Sequence, residues 1–405
     1  MPMQETARIL FVDDDVNVLR GLRRSMQDMA DHWDMVFCES GTTALAELEK
    51  NPADVVVSDM RMPQMDGASL LDAVRRRHPS TVRVILSGFA EIDAVMKTVS
   101  VAHIYLAKPC QPDQLRKAIA RPLGLRRRLA EATLRDSVGE IANLPTLSDL
   151  FRQIDAELRS GTGSAASVAE LLSKDMAMTA EILKLTNSAF FGLGARITSV
   201  LQAVRTLGLE TIRTLVLQVG LFRYFIDSPD AGPQIEVLNR YGIALGHLAE
   251  MLARDMGLED DLVQAARCAG MLSPIGCLVM LDRRPEKCRD VIDGVCRGIS
   301  LSKAEEEAFG TSHHMVGAFL LGLWGFRDDL VDAVAYADCP RTAQETNNAI
   351  LTAVHAATAL GPRYPLLPSG LDQPAQLDMA YLVEVRQDKN LKRWRELASR
   401  QRGEG

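Results

Sequence analysis

Aromatic side chains are scarce in this 405-residue chain, at 5 %. That leaves little from which to build a base-stacking platform for nucleic acid. Positive charge is not in excess either: 46 Lys and Arg face 53 Asp and Glu, a formal net charge of −7. This argues against a general binder of polyanions. The seven cysteines, at 38, 110, 268, 277, 288, 296 and 339, form no Cys-x-x-Cys pair. An odd, scattered set reads as reduced thiols in a cytoplasm, and it excludes a disulfide framework or zinc ribbon. Residues 1–7 lack the apolar core of a signal peptide. The longest apolar stretches, Ala269–Leu281 and Met315–Phe326, fall short of the roughly 20 residues of a membrane span. Secreted and membrane classes, and a membrane partner, are therefore not expected, and no repeat of solenoid period is present.

What is present is ordinary globular material, 47 % hydrophobic and 24 % charged, in a length that suits two or three domains at roughly 150 residues each. Over the first 120 residues, β-rich runs at Ile9–Val12, Met35–Cys38, Val55–Ser58, Val82–Leu86 and His103–Leu106 alternate with helical periodicity, as in Val18-Leu22-Met26-Met29. Continuous apolar strands separated by helices predict a five-stranded parallel sheet, doubly wound, with its ligand at the carboxyl ends of the strands. Pro122 reads as the end of one helix and the first turn of another. The next segment, Leu123–Ile141, reads as a connecting helix whose Arg126-Arg127-Arg128 run is a solvated face. Beyond it no strand signal appears. Ser167-Val-Ala-Glu170 and Ser302-Lys-Ala-Glu305 have the spacing of capping boxes at helix starts. Ser228–Pro233 and Gly361–Gly370 read as loops, and the chain after about Gln373 is helical at most.

The chemistry concentrates at the strand ends. Asp13, Asp14 and Asp15 follow the first strand, Asp59 the third, Ser87 closes the fourth, and Lys108-Pro109 follows the fifth. Each alone is bland, since an Asp after a strand is commonly a helix N-cap. Together they converge on one edge of the sheet. Carboxylates crowded in this way bind a cation or shift their pKa values, and Mg2+ suits an oxygen-only site open to phosphate.

Four segments, Ile9-Leu10-Phe11-Val12-Asp13-Asp14-Asp15, Asp59 through Gly67, Leu86-Ser87-Gly88 and Tyr105-Leu106-Ala107-Lys108-Pro109, resemble the receiver domain of two-component response regulators, which is of the flavodoxin-like fold class. The resemblance implies that Asp59 accepts a phosphoryl group from a sensor histidine kinase. It assigns Mg2+ to Asp14, Asp59 and the Arg61 backbone carbonyl, with Asp13 acting through water. Ser87 and Lys108 would hold the phosphoryl oxygens, Ser87 and Tyr105 would form the switch, and the Lys108–Pro109 bond would be cis.

Further on, Leu144-Pro145-Thr146-Leu147, Ser167 through Asp175, Leu183 through Gly192, Ile197-Thr198-Ser199-Val200, Ala203 through Gly208 and Gly317 through Leu321 resemble the HDOD domain, an all-α relative of the HD metal-dependent phosphohydrolases. Those hydrolases need a His-Asp pair among their metal ligands, and no His-Asp dipeptide occurs in this chain. Where the relatives place it stands Leu272-Ser273-Pro274-Ile275-Gly276-Cys277, and the later paired-histidine position reads Ala337-Asp338. A lone His313 does not hold a catalytic metal, and His313, His247 and His355 read as capping or packing residues.

The expected organisation is a receiver over 1–121, a helical connector over 122–141, an HDOD domain over 142–362 and a partly helical extension over 363–405. The expected function is a cytoplasmic response regulator whose non-catalytic HDOD output, free of cofactor, acts through an unknown downstream protein, with homodimerisation possible and nucleic acid not expected. The alternative is an HD-type phosphodiesterase of a cyclic nucleotide, metal-dependent and under receiver control.

Overall fold

The computed structural model describes residues 6–87, 101–126, 138, 141, 145–146, 148–159, 163–187, 197–209, 211–212, 223–224, 231–367 and 376–402. The amino-terminal part is built from β1 (Ala7–Val12), α1 (Val16–Ser25), β2 (Trp33–Cys38), α2 (Gly41–Lys50), β3 (Val55–Asp59), α3 (Gly67–Arg77), β4 (Val82–Ser87), β5 (Ile104–Ala107) and α4 (Pro112–Arg126). All strand pairs are parallel, in the order β2-β1-β3-β4-β5. Side chains alternate between the faces of a strand, so β1 feeds two cores. Ile9 and Phe11 pack with Val55, Val57, Val82 and Val84 on one face, and Leu10 and Val12 with Val56 and Ile85 on the other. Burial on both faces is why these strands read as unbroken apolar runs. Arg83 interrupts β4 and is nonetheless buried, its guanidinium donating to the carbonyls of Val101, Thr81 and Pro79.

Pro122 does not end its helix. It lies inside α4, which continues to Arg126. The lost backbone bond is offset by packing, since Pro122, Leu123 and Leu125 are all buried. Leu125 reaches the helical domain: a β-carbon on Gly322 would lie 2.5 Å from its Cδ1. Arg121 pairs with Asp328 and donates to the Asp328 carbonyl at 2.6 Å. One face of the sheet, α4 and the helical domain thereby share a continuous apolar core. Of the expected connector, residues 127–137 and 139–140 lie outside the described residues.

Among the described residues beyond α4, the regular elements are helical apart from a two-residue parallel pairing that the sequence did not signal, β6 (Pro145–Thr146) with β7 (Arg223–Tyr224). The helices are α5 (Ser148–Arg159), α6 (Ala165–Leu172), α7 (Met176–Thr186), α8 (Val200–Leu207), α9 (Ala231–Asp255), α10 (Asp260–Leu272), α11 (Ile275–Arg283), α12 (Pro285–Cys296), α13 (Leu301–Phe309), α14 (His313–Leu323), α15 (Asp328–Ala335), α16 (Ala349–Leu360), α17 (Met379–Glu384) and α18 (Leu391–Arg402). Pro233 falls in the first turn of α9, where a missing N–H is harmless, and not in a loop. By length and composition Asp260–Arg283 would cross a membrane, but 83 % of its most apolar window is buried inside the protein. Its hydropathy is that of a core helix. The carboxyl-terminal segment joins this core as well: Trp394 is fully buried, with its indole N–H on Asp255 at 3.1 Å.

Both expected capping boxes are corrected. The cap of α6 is Ser164, and Ser167 is its reciprocal partner three residues on. Helix α13 starts after Ser300 with no side-chain cap bond, and Glu305 turns elsewhere.

Candidate functional site

The strand register gathers the acidic site. Val12 is level with Ser58, Asp59 with Leu86, and Ser87 with Ala107, so Asp13, Asp59, Ser87 and Lys108 leave neighbouring strands on one edge. This edge includes the β1/β3 switch point, where the chain's crossovers part to opposite faces and leave a crevice. Asp13 and Asp59 are buried, and Lys108 spans them. Its ammonium lies 2.6 Å from Asp13 Oδ2 and also pairs with Asp59 Oδ1. The Lys108–Pro109 bond is cis, and the Lys108 amide donates to the Ser87 carbonyl at 2.7 Å.

The other oxygens are held by backbone. Asp59 Oδ2 accepts from the Arg61 amide at 2.9 Å, and Asp13 Oδ1 from the Asp15 amide at 2.9 Å. Asp15 caps α1, accepting from the Asn17 amide, so the acid triplet divides its work. Asp13 points into the site, Asp15 serves the helix, and Asp14 is exposed. Gly67 is required on the same edge, because a β-carbon there would lie 2.2 Å from the Asp59 carbonyl oxygen. Tyr105 is buried in the second core with Val56, Met62 and Ile85, and Ser87 is half-buried at the edge.

Burial works against the charge on Lys108, but its bonds to Asp13 and Asp59 outweigh this and raise its pKa above the ordinary lysine value. Two buried carboxylates and the exposed Asp14 against one ammonium leave the edge net negative. Oxygen-only donors with excess negative charge fit a hard divalent cation. In the arrangement described, no group of three or more His, Cys, Asp or Glu side chains is gathered for a metal among the described residues.

A second constellation lies between α9, α13, α14 and the segment after α16. A cavity of about 770 Å³ is lined by Tyr241, Glu305, His313, His314, Asp338 and Tyr364, among others. His313 opens α14 and is buried. Its Nδ1 lies 2.8 Å from Glu305 Oε1, and its backbone amide donates to Glu305 Oε2 at 3.0 Å. The His314 ring stacks at 4.0 Å from that of His313 and contacts Ser273 Oγ at 3.3 Å. Burial lowers the pKa of both rings, but Cys277 and Glu305 more than reverse this for His313, which is raised well above the ordinary value. His314, next to that charge, is pushed down to about 3. Sequence reasoning missed Glu305 as the partner of His313 and missed His314 altogether. Their meeting depends on α13 and α14 folding against each other, and only the adjacent histidines at a helix start were a signal.

The remaining histidines part ways. His355 is a packing residue, donating from Nδ1 to the Ala337 carbonyl at 2.7 Å and accepting from the Asp378 amide at 2.9 Å. His247 is exposed and lies beside Arg267. The segment Ser188–Gly192, among those that carry the second resemblance, lies outside the described residues.

Comparison with known proteins places these two sites in separate families. The response regulator receiver domain matches residues 9–120 and the HDOD domain residues 144–340. The alginate biosynthesis transcriptional regulatory protein AlgB of Pseudomonas aeruginosa is 29 % identical over 186 residues, covering 46 % of this chain and 38 % of that protein. The transcriptional regulatory protein GlrR of Escherichia coli is 35 % identical over 116 residues, 28 % of this chain and 25 % of that protein. The chain thus spans well under half the length of these curated relatives. Among solved structures, the signal receiver domain of an HD domain-containing protein from Pseudomonas fluorescens aligns with a TM-score of 0.27 at 30 % identity, covering 30 % of this chain and 94 % of that one. With the parallel sheet carrying the acidic edge and the helices following it, the chain belongs to the two-component response regulators that join a receiver domain to an HDOD domain.

Proposed function

We propose that this protein is switched by phosphorylation of Asp59. The observation that supports it most is the bridge of Lys108 between Asp13 and Asp59 at the carboxyl edge of the sheet. A carboxylate nucleophile is held by backbone on one oxygen and leaves the other to a mobile ammonium, which is the arrangement that in-line phosphoryl transfer needs. Asp14, Asp59 and the Arg61 carbonyl would hold Mg2+, with Asp13 acting through water, and the ion would supply positive charge against nucleophile and phosphoryl group. Lys108 then moves its bond from the Asp59 oxygen to a phosphoryl oxygen, and Ser87 takes another. Tyr105, across the register from Ile85, follows Ser87 and carries the change into the second core.

In this reading a sensor histidine kinase is the phosphodonor, and the HDOD domain acts in the cytoplasm through contacts with a downstream protein, or with a second copy, without catalysis of its own. Incubating the whole protein with a small-molecule phosphodonor and Mg2+ tests the assignment. Labelling is expected in the native chain and absent in Asp59→Ala; label retained in that variant would overturn it.

One observation favours the phosphodiesterase reading: the cavity keeps His313, His314 and Asp338 on its wall. It predicts stoichiometric Fe, Mn or Zn in the purified protein together with cyclic-nucleotide turnover. Elemental analysis and a turnover assay separate the two readings.

A further inference from the structure

The helical cavity holds a carboxylate without a counter-ion. Asp338 stands just beyond α15, on the cavity wall. The Ala337 before it is fully buried, and the His355 ring donates to its carbonyl at 2.7 Å, so the backbone that presents Asp338 is held in place. The carboxylate itself is half-buried. Its side-chain donor is the Cys339 thiol at 3.3 Å, a weak one. Among the described residues no lysine, arginine or histidine forms an ion pair with it.

The rest of the wall does not supply the missing charge. His313 is already balanced by Glu305 at 2.8 Å. Burial and the charge on His313 keep His314 neutral down to about 3. Burial opposes the charge on Asp338, but the nearby imidazoles hold its carboxyl below the ordinary value. Glu306 and Arg363, both exposed, offset one another. The cavity is left with one negative charge, beside an aromatic wall. Tyr241 and Tyr364 meet edge to face, with ring centres 5.9 Å apart. The Tyr364 ring also lies 5.6 Å from that of His313, and its hydroxyl is 3.0 Å from the Cys277 sulfur, so this wall is fixed by its neighbours.

We propose that this cavity binds a small organic cation, a primary amine whose ammonium pairs with Asp338 and whose body lies against Tyr241 and Tyr364. A carboxylate and aromatic rings are the groups that attract an ammonium. Asp338 accepts hydrogen bonds, which a primary ammonium gives and a quaternary one does not. The volume of about 770 Å³ suits a small molecule. An anion would meet the unbalanced carboxylate, and one carboxylate matches one ammonium. The binding is reversible and does not depend on phosphorylation of Asp59.

The test titrates the full-length protein by calorimetry with two matched pairs, phenethylamine against phenethyl alcohol and hexylamine against hexanol. At least one amine is expected to bind about tenfold or more tighter than its alcohol. Asp338→Asn should remove that preference and leave the alcohol unchanged. A second measurement places the site in the native chain. Cys339 is exposed and lines the cavity, whereas Cys296 is exposed elsewhere. The bound amine should slow alkylation of Cys339 by N-ethylmaleimide and leave Cys296 unaffected, and this carries the test where Asp338→Asn does not fold. Amines that bind no tighter than their alcohols, a preference that survives Asp338→Asn, or a Cys339 rate unchanged by the amine would each overturn the proposal.

Discussion

The receiver and the helical domain each set a cation against carboxylate, at different depths. Lys108 spans Asp13 and Asp59 at the rim of a sheet, with its side chain 29 % exposed. His313 is held by Glu305 inside the helical core, at 8 % and 4 % exposure. At the rim, the chain entering and leaving each strand leaves a crevice, so the lysine can exchange one anionic partner for another with water at hand. In the core, the imidazolium is almost wholly enclosed by protein, and separating the pair strands a charge. The first arrangement is fit for a switch, whereas the second holds the fold and poises the groups around it.

The largest expected effect breaks the comparison on the receiver side. Asp59→Ala should abolish phosphodonor labelling altogether while changing the melting temperature little. Lys108→Ala should leave the acceptor in place and slow labelling by about 100-fold, the order expected for losing one aimed donor. A full rate in that variant would remove the lysine from the chemistry. On the helical side, Glu305→Ala should destabilise the protein by about 3–5 kcal/mol, since it leaves a buried partner unpaired; chemical denaturation reads this directly, and labelling of Asp59 should persist wherever the variant folds.

The dependence of stability on pH sharpens the contrast further. His313 has a raised pKa when folded, so its contribution is complete below the unfolded value, about 6.5, and is lost as pH climbs through the folded value. His314, neutral in the fold down to about 3, acts in the opposite sense, and its contribution is lost as pH falls from about 6.5 toward 3. Stability of the helical domain should thus peak near pH 6.5, with His314→Gln flattening the acid limb and His313→Gln the alkaline one. A profile unchanged by either substitution would refute the assignment. The smallest effect belongs to the domain contact. Arg121→Ala removes a pair with Asp328, whose side chain is 63 % exposed, and should shift stability by no more than about 1 kcal/mol.

The receiver was the more legible half for a physical reason. Strands buried on both faces announce themselves as apolar runs, and their ends lie next to the runs in sequence. Asp13, Asp59, Ser87 and Lys108 could therefore be placed on one edge before the register was known. Arg83 inside β4 was not signalled, because three of its acceptors are carbonyls, which have no sequence identity, and another partner, His103, stands just before β5, 20 residues away. Pro122 misled in the same way: a local rule for breaking helices gave way to burial of Leu123 and Leu125 against another domain. In the helical half, the absence of a His-Asp dipeptide was plain, but the partners of His313 were not. The Ser302–Glu305 spacing imitated a cap, and Glu305 instead faces the next helix.

The alternation of strands and helices in the receiver, the two domain families and the residues of the acidic edge were legible in the sequence alone, since each depends on local pattern or on neighbours a few positions away. Tertiary structure decided which of three consecutive aspartates points inward, that α4 runs on into the helical domain, and that Cys277, Glu305, His313 and Tyr364 meet. Those are contacts between helices, and their energies come from burial and charge at distances the chain closes only when folded.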